Sequence, residues 1–258
     1  MALKALIFDM DGTIADTERD GHRIAFNSTF LKYGLDWQWD VDLYGKLLKI
    51  TGGKERMRHY VTHYKPSYVP PSDFDELIRA LHQTKTAHYT RLVSTGLIPL
   101  RPGVRRLLRE ARDAGVRLAI ATTTTPANVR ALLESQNIDG AVWFDVIGAG
   151  DIVANKKPAP DIYHWALEKL GLSADLCLAL EDSENGLHSS TGAGLKTIIT
   201  VTDYTREQNF SGALVVLSDL GEPDQPMTVL QGSADGKNYV DLELLRHWHN
   251  EKANSNSH

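Results

Sequence analysis

The sequence predicts an α/β fold, a doubly wound parallel sheet with an inserted α-helical cap domain, and three observations predict it. The apolar run of Leu3, Ala5, Leu6, Ile7 and Phe8 stops at the polar stretch DMDGT, residues 9–13, as a buried strand stops at a loop. Between about residue 16 and residue 95, apolar positions recur at helical spacing and no strand pattern emerges. From residue 97 onward, strand-like and helix-like segments alternate, as they do where crossover helices join parallel strands.

The first strand ends at Gly12, whose backbone freedom suits a tight turn. The chain then leaves the sheet near Thr13 and returns near Pro99, so residues 1–15 and 97–258 form a catalytic core and 16–96 a cap that selects substrate. In the cap, Ile24, Phe26, Phe30 and Leu31 mark one helical stripe, Leu43, Leu47 and Leu48 a second, and Phe74, Leu77, Ile78 and Leu81 a third. In the core, helices are expected over 103–113, 126–135, 161–170 and 185–192, alternating with strands over 117–121, 142–147, 176–180 and 197–201. Residues 218–236, rich in Gly, Pro and Asp, read as a loop before the closing YVDLELLRHW element. The polar end NEKANSNSH is expected to fray.

With 258 residues, 42% of them hydrophobic, the chain can build a sizeable core, and no apolar run approaches the length of a membrane span. A balance of 28 basic against 33 acidic residues, net charge −5, argues against a general nucleic-acid or anionic-membrane binder. Any anion site is therefore local, and the expected partner is a small molecule bound by a monomer. The single cysteine, Cys177, sits in the apolar run LCLALED and reads as a buried hydrophobe. Because MALKALIFD enters the first strand at once, no leader is expected; the protein is read as cytoplasmic, with Asn27 and Asn209 unglycosylated despite their sequons.

In open parallel sheets, ligands bind beyond the carboxyl ends of the strands. There, Asp9 and Asp11 start on the same side of the chain, and a carboxylate pair can hold a hard cation, act as nucleophile or exchange protons. A solvated acidic turn is the plainer alternative. Thr122 to Thr125 follow the 117–121 strand and offer hydroxyls and amides to phosphate oxygens, although such a run alone is more often a helix cap. Lys156 and Lys157 precede Pro158, and Glu181, Asp182 and Ser183 follow the 176–180 strand. Each signal is weak alone, but together they are the inventory for moving a phosphoryl group: nucleophile, acid/base, Mg2+ ligands and a neutralising cation.

DMDGT, Thr122 after its strand, KKPAPDIY and LEDSENG resemble the four motifs of the haloacid dehalogenase superfamily, in its subgroup with a helical cap after the first motif. GLDWQWD, TGGKERM, LRPGV and ATTTTPANV extend the resemblance, over residues 4 to about 205, to the CbbY-type sugar-phosphate phosphatases, described as acting on xylulose 1,5-bisphosphate. The resemblance implies Mg2+ as cofactor. It makes Asp9 the nucleophile that forms an aspartyl-phosphate, and Asp11 the general acid and then base. Metal contacts would come from the Asp9 side chain, the Asp11 carbonyl and Asp182, with Glu181 in support. Thr122 would hydrogen-bond the phosphoryl group. The lysine role falls on Lys157, directly before proline, with Lys156 as the alternative.

The cap should choose the substrate. Lys46, Lys49, Lys54, Arg56 and Arg58 make its TGGKERM region basic, Gly52 and Gly53 permit close approach, and a helix starting near Lys54 adds amide donors, together a grip for a second phosphate. A solvated amphipathic helix is the alternative. The resemblance also implicates Glu18, His22, His82 and Lys85 in the cap, with Thr123, Thr124 and Asn128 beside the phosphoryl site. His22 falls one residue late for the β-phosphoglucomutase pattern, with Gly21 in the equivalent place, which argues against mutase chemistry by this histidine. A phosphomutase remains the nearest alternative. A phosphoacceptor signalling domain is more remote, because there the acidic pair precedes the phosphorylated Asp and no cap intervenes. His59 with His63, and His247 with His249, lack the companions of a zinc site; the glycines of 148–150 lack dinucleotide spacing; Trp37 and Trp39 read as cap packing.

Overall fold

A computed structural model describes residues 2–251. Seven strands form one sheet: β1 (Ala5–Phe8), β2 (Arg117–Ala121), β3 (Val146–Gly148), β4 (Cys177–Glu181), β5 (Lys196–Thr200), β6 (Val215–Leu217) and β7 (Val229–Gln231), in the order β3-β2-β1-β4-β5-β6-β7. All pairs are parallel except β6 with β7, and Ala5 of β1 stands opposite Arg117 on one side and Cys177 on the other. Strand β1 is apolar throughout, and its neighbours β2 and β4 are apolar but for Arg117 at the start of one and Glu181 at the end of the other, because helices cover both faces.

The segment between β1 and β2 holds a π-helical turn (Glu18–His22) and helices α1 (Arg23–Lys32), α2 (Val41–Leu47), α3 (Gly53–Tyr64) and α4 (Phe74–Val93); α5 (Val104–Asp113) follows in the core. Next come α6 (Pro126–Ser135), α7 (Gly140–Trp143), α8 (Asp161–Leu170), α9 (Glu184–Gly192) and α10 (Leu242–Asn250). Side-chain alternation divides the core into two layers. Leu6, Phe8, Ile120 and Leu180 pack with α5, α6 and α10, whereas Ala5, Ile7, Ala119 and Ala179 face α8. The many alanines on the second face let α8 lie close to the sheet. The helical segment has its own aromatic core, in which Trp39 lies 4.6 Å from Phe26 and 4.9 Å from Phe30 between ring centroids. Trp37 and Trp39 are thus packing residues, and Cys177 is a buried thiol. Among the described residues no helix is long and apolar enough to cross a membrane.

Several expectations are corrected. Leu31 is 81% exposed and Ile24 partly so, because α1 buries Phe26, Thr29 and Phe30, and that face leaves Leu31 outside. The strand expected over 142–147 starts only at Val146. Asp139 accepts from the amides of Ala141 and Val142 and starts the short helix α7, so a local cap overrides the β-branched pattern. The loop expected over 218–236 contains β7, an exposed edge strand with no buried alternation to betray it. Sequence reading also stops one strand short at β6. Most of the polar tail expected to fray lies outside the described residues.

The chain leaves and re-enters the core side by side: Ala15 bridges Leu100, and the Arg101 amide donates to the Ile14 carbonyl. Arg101 then locks this junction to the sheet. Its guanidinium donates to the carbonyl of Gly12 and to those of Thr200, Val201 and Ser218 at 2.6–2.8 Å, joining the DMDGT turn to the ends of β5 and β6. Replacing Arg101 by Met strands several half-buried carbonyls, so Arg101→Met should lower unfolding free energy by about 3 kcal/mol. Urea denaturation checks this, and an unchanged midpoint would show that the network does not hold the turn.

Candidate active site

Four strand ends bring their polar groups to one edge of the sheet. Asp9 follows β1, Thr122 follows β2, Glu181 ends β4 beside Asp182, and Lys157 comes from the loop after β3. Lys157 Nζ donates to Asp9 Oδ1 at 2.7 Å and to Glu181 Oε1 at 2.5 Å, and the Tyr163 hydroxyl donates to the same Glu181 oxygen at 2.5 Å. Lys156 turns the other way, toward Glu55 and Asp151 at 3.2 and 3.0 Å.

Oxygens of Asp9, Glu181 and Asp182, all buried, lie within 4.8 Å of one another. Lys157 is the lysine that touches them, one positive charge against three carboxylates. Burial pushes the Asp9 carboxyl up to about 7 against the pull of Lys157, and Glu181 adds to the rise. Burial, then Asp9 and Glu181, push Asp182 well above the usual carboxylate range. Glu181 Oε2 is buried without a hydrogen-bond partner. The cluster is therefore short of positive charge, and its all-oxygen donor set suits a hard divalent cation such as Mg2+. Two glycines make room for the carboxylates: a Cβ on Gly12 would run into Asp182 Oδ2, and one on Gly186 into Glu181 Oε2. Two other clusters fit a metal less well. Asp11, Glu18 and His22 already have the Lys85 ammonium 2.7 Å from His22, and Asp235, His247 and Glu251 form an exposed ion-pair group.

Asp11 is held apart from Asp9 by different partners. It accepts from the Thr17 hydroxyl and lies 2.9 Å from His22 Nε2. The Lys85 ammonium has only donors to offer His22 Nδ1, so the ring proton sits on Nε2 and is donated to Asp11. Burial alone would raise the Asp11 carboxyl, but His22, Thr17 and Lys85 bring it down to about 2. Burial conversely lowers Lys85 to about 8, less the support of Glu18 and Asp11. Asp11 is thus an anion, in the form that accepts a proton.

A cavity of about 370 Å3 opens between the cap and this edge, and Asp9, Asp11, Glu18, Gly52, Arg56, Thr122, Thr123, Lys157 and Asp182 all line it. Glu181 lies beneath it, and His22 and Lys85 stand behind Asp11. Thr124 and Asn128 bond each other at the start of α6, outside the lining.

The cap grip is differently built from the one expected. Lys54 does not reach the cavity; it pairs with Asp151 of the core at 2.6 Å. Gly53 is a packing glycine whose Cβ would meet the His82 ring at 2.9 Å. His82 lines a separate cavity with Lys54 and Lys156, and burial followed by the charges of Lys85, Lys54 and Lys156 pushes it down to about 3. Two residues apart on α3 means roughly 200° around the helix, so Arg56 faces the cavity and Lys54 does not. Lys49 lines the cavity as well. Thr17, Tyr163 and Arg101 were not singled out from sequence, because their partners are a side chain met only in the fold or backbone carbonyls. The same holds for the core wall of Asn185, His188, Tyr204 and Gln208. Asn185 also ties core to cap through the Lys49 carbonyl and the Thr51 hydroxyl, at 3.2 and 3.1 Å.

The sequence model of the haloacid dehalogenase-like hydrolases matches residues 3–194, and the chain belongs to that family. It is 49% identical over 251 residues to the plasmid-borne protein CbbY of Cupriavidus necator, covering 96% of this chain and 97% of that one. Crystal structures of CbbY from Rhodobacter sphaeroides, one with phosphate and one of a mutant with xylulose-(1,5)bisphosphate, superpose with a TM-score of 0.78 at 44% identity over 84% of this chain and 94% of theirs. A putative β-phosphoglucomutase from Thermotoga maritima reaches a TM-score of 0.62 at 25% identity over 83% of this chain and 94% of that one. The chain is an enzyme, a phosphatase of the hydrolase family its fold defines.

Gly186 offers a test of the carboxylate cluster. Alanine in the first turn of α9 favours the helix by about 1 kcal/mol. Yet its Cβ would drive into Glu181, so Gly186→Ala should raise the Mg2+ concentration for half-maximal activity about tenfold or more. Mg2+ titration of the phosphatase rate measures this, and an unchanged midpoint would remove Glu181 from the metal site.

Proposed function

We propose that the chain is a Mg2+-dependent phosphatase of a small sugar bisphosphate, xylulose 1,5-bisphosphate or a related pentulose bisphosphate, working through an aspartyl-phosphate. The observation that carries this is the buried cluster of Lys157, Asp9, Glu181 and Asp182 facing, across one cavity, a cap that contributes Arg56 and Lys49. The xylulose-(1,5)bisphosphate bound by the mutant of the Rhodobacter relative supports the choice of sugar.

Asp9 attacks phosphorus while the sugar–oxygen bond to phosphorus breaks, and Asp11 gives the departing sugar oxygen its proton. Water then attacks the aspartyl-phosphate, Asp11 takes the water proton, and inorganic phosphate leaves with Asp9 restored. Asp11 enters the second step as the anion that Thr17 and His22 favour; it can act as acid in the first step only when those contacts loosen. Lys157 and Thr122 neutralise and orient the phosphoryl oxygens. Bound through Asp9, Asp182, Glu181 and the Asp11 carbonyl, Mg2+ would supply electrostatic stabilisation of the charge that builds on the transferring group. The segment 16–96 acts as the specificity cap, and Arg56 with Lys49 takes the phosphate that is not cleaved.

A phosphate-release screen over sugar mono- and bisphosphates with Mg2+, with the sugar product identified, tests the assignment; an isomerised sugar phosphate in place of free phosphate would make the chain a mutase. Asp9→Asn should lose about a thousandfold or more in kcat, and retained turnover would overturn the role of Asp9. Arg56→Ala should lower the preference for bisphosphate over monophosphate by about tenfold to a hundredfold. Lys54→Ala, removing a half-exposed ion pair, should change that preference by less than about threefold. The ratio of kcat/KM values measures both.

A further inference from the structure

Two of the charged groups that the cap sends into the cavity, Glu18 from the π-helical turn and Arg56 from α3, meet on a single hydroxyl. The Tyr44 hydroxyl donates to Glu18 Oε2 at 2.5 Å and accepts from Arg56 Nη1 at 2.9 Å. Tyr44 belongs to α2, is fully buried and does not itself line the cavity. Its ring is wedged among Trp39, Phe26 and Tyr204, at centroid distances of 5.9, 6.3 and 6.0 Å, and the Arg56 guanidinium lies 5.2 Å from the ring centre. Burial, then the Glu18 carboxylate, holds the phenol well above its ordinary value, so it keeps the proton it donates.

We propose that Tyr44 is a positioning residue that spaces Glu18 and Arg56 for joint recognition of one ligand carrying a phosphate beside a free hydroxyl. This rests on the sugar-phosphate phosphatase reading and sharpens it. Arg56 Nη1 and Glu18 Oε2 stand 4.0 Å apart. Without a group between them, a guanidinium and a carboxylate at that separation close into a bidentate pair and satisfy each other. The phenol takes one N–H and one oxygen, leaving Arg56 Nη2 and Glu18 Oε1 for a ligand. The spaced pair then selects in two directions. A bare anion gains Arg56 but meets the Glu18 charge, and a polyol without phosphate gains Glu18 but leaves Arg56 without its anion. A sugar phosphate satisfies both.

Tyr204 makes this arrangement depend on the core. It belongs to the segment after β5, its ring meets the edge of Tyr44, and a Cβ on the neighbouring Gly45 would stand 2.9 Å from it. The core loop thereby backs the ring whose hydroxyl sets the pair.

Tyr44→Phe removes one oxygen and keeps the ring. With the wild-type enzyme turning over xylulose 1,5-bisphosphate, Tyr44→Phe should raise KM about tenfold and change kcat by less than about threefold. Because Tyr44 acts through Glu18, the same substitution in a Glu18→Gln background should raise KM by no more than about twofold, whereas a residue that only packs the cap would cost the same in both backgrounds. An unchanged KM, or equal losses in the two backgrounds, overturns the role of Tyr44 while leaving the phosphatase assignment standing. A wild-type protein that releases no phosphate from any sugar phosphate overturns that assignment and this role with it.

Discussion

Everything at the polar edge of the sheet depends on one unequal charge balance: a single buried lysine against three buried carboxylates. Lys157 bridges Asp9 and Glu181 directly, and so couples the end of β1 to the end of β4. Removing such a partner leaves an uncompensated buried charge, one of the costliest defects a fold can carry. The remaining deficit is what suits Asp9, Glu181 and Asp182 to a divalent cation. The sheet supplies the means of bringing these charges together, since neighbouring parallel strands end at the same level and each loop needs only one residue of the right kind.

The two aspartates of DMDGT have the same chemistry and opposite surroundings. Burial, with Glu181 and Asp11 beside it, pushes Asp9 up despite Lys157; burial acts on Asp11 too, but His22 and Thr17 pull it down. Protein environment, rather than residue type, thus gives the two carboxyls different affinities for a proton. The donors around Asp11 come from the cap side of the chain, Thr17, His22 and through it Lys85, while those around Asp9 come from the core. Cap and core therefore each govern one half of the pair.

Sequence legibility followed the physics of each feature. Strand β1 and the gathering of Asp9, Asp11 and Lys157 at the strand ends were readable because buried parallel strands are largely apolar and their polar ends stand out. Helices α6 and α8 were readable to the residue from Pro126 at a helix start and Asp161 in a first turn. The short α7 and the exposed β7 were not, since one rests on a local cap and the other on pairing with β6. In the cap, local basicity was visible in TGGKERM, but which cation faces inward depends on helix phase, and that separates Arg56 from Lys54. Tyr44 and Arg101 carried no signal because their partners are brought near only by the fold.

The paired strands of linker at Ala15 and Leu100 have a wider meaning. A module whose two ends emerge at adjacent points makes no demand on the register of the sheet beneath it. The aromatic core around Trp39 forms a cluster of its own, distinct from the layers that sandwich the sheet and touched from the core by Tyr204. The inserted segment is therefore a guest on the sheet, and a change inside it reaches the strand ends only through the few side chains it sends there, Thr17 and His22 on Asp11 foremost.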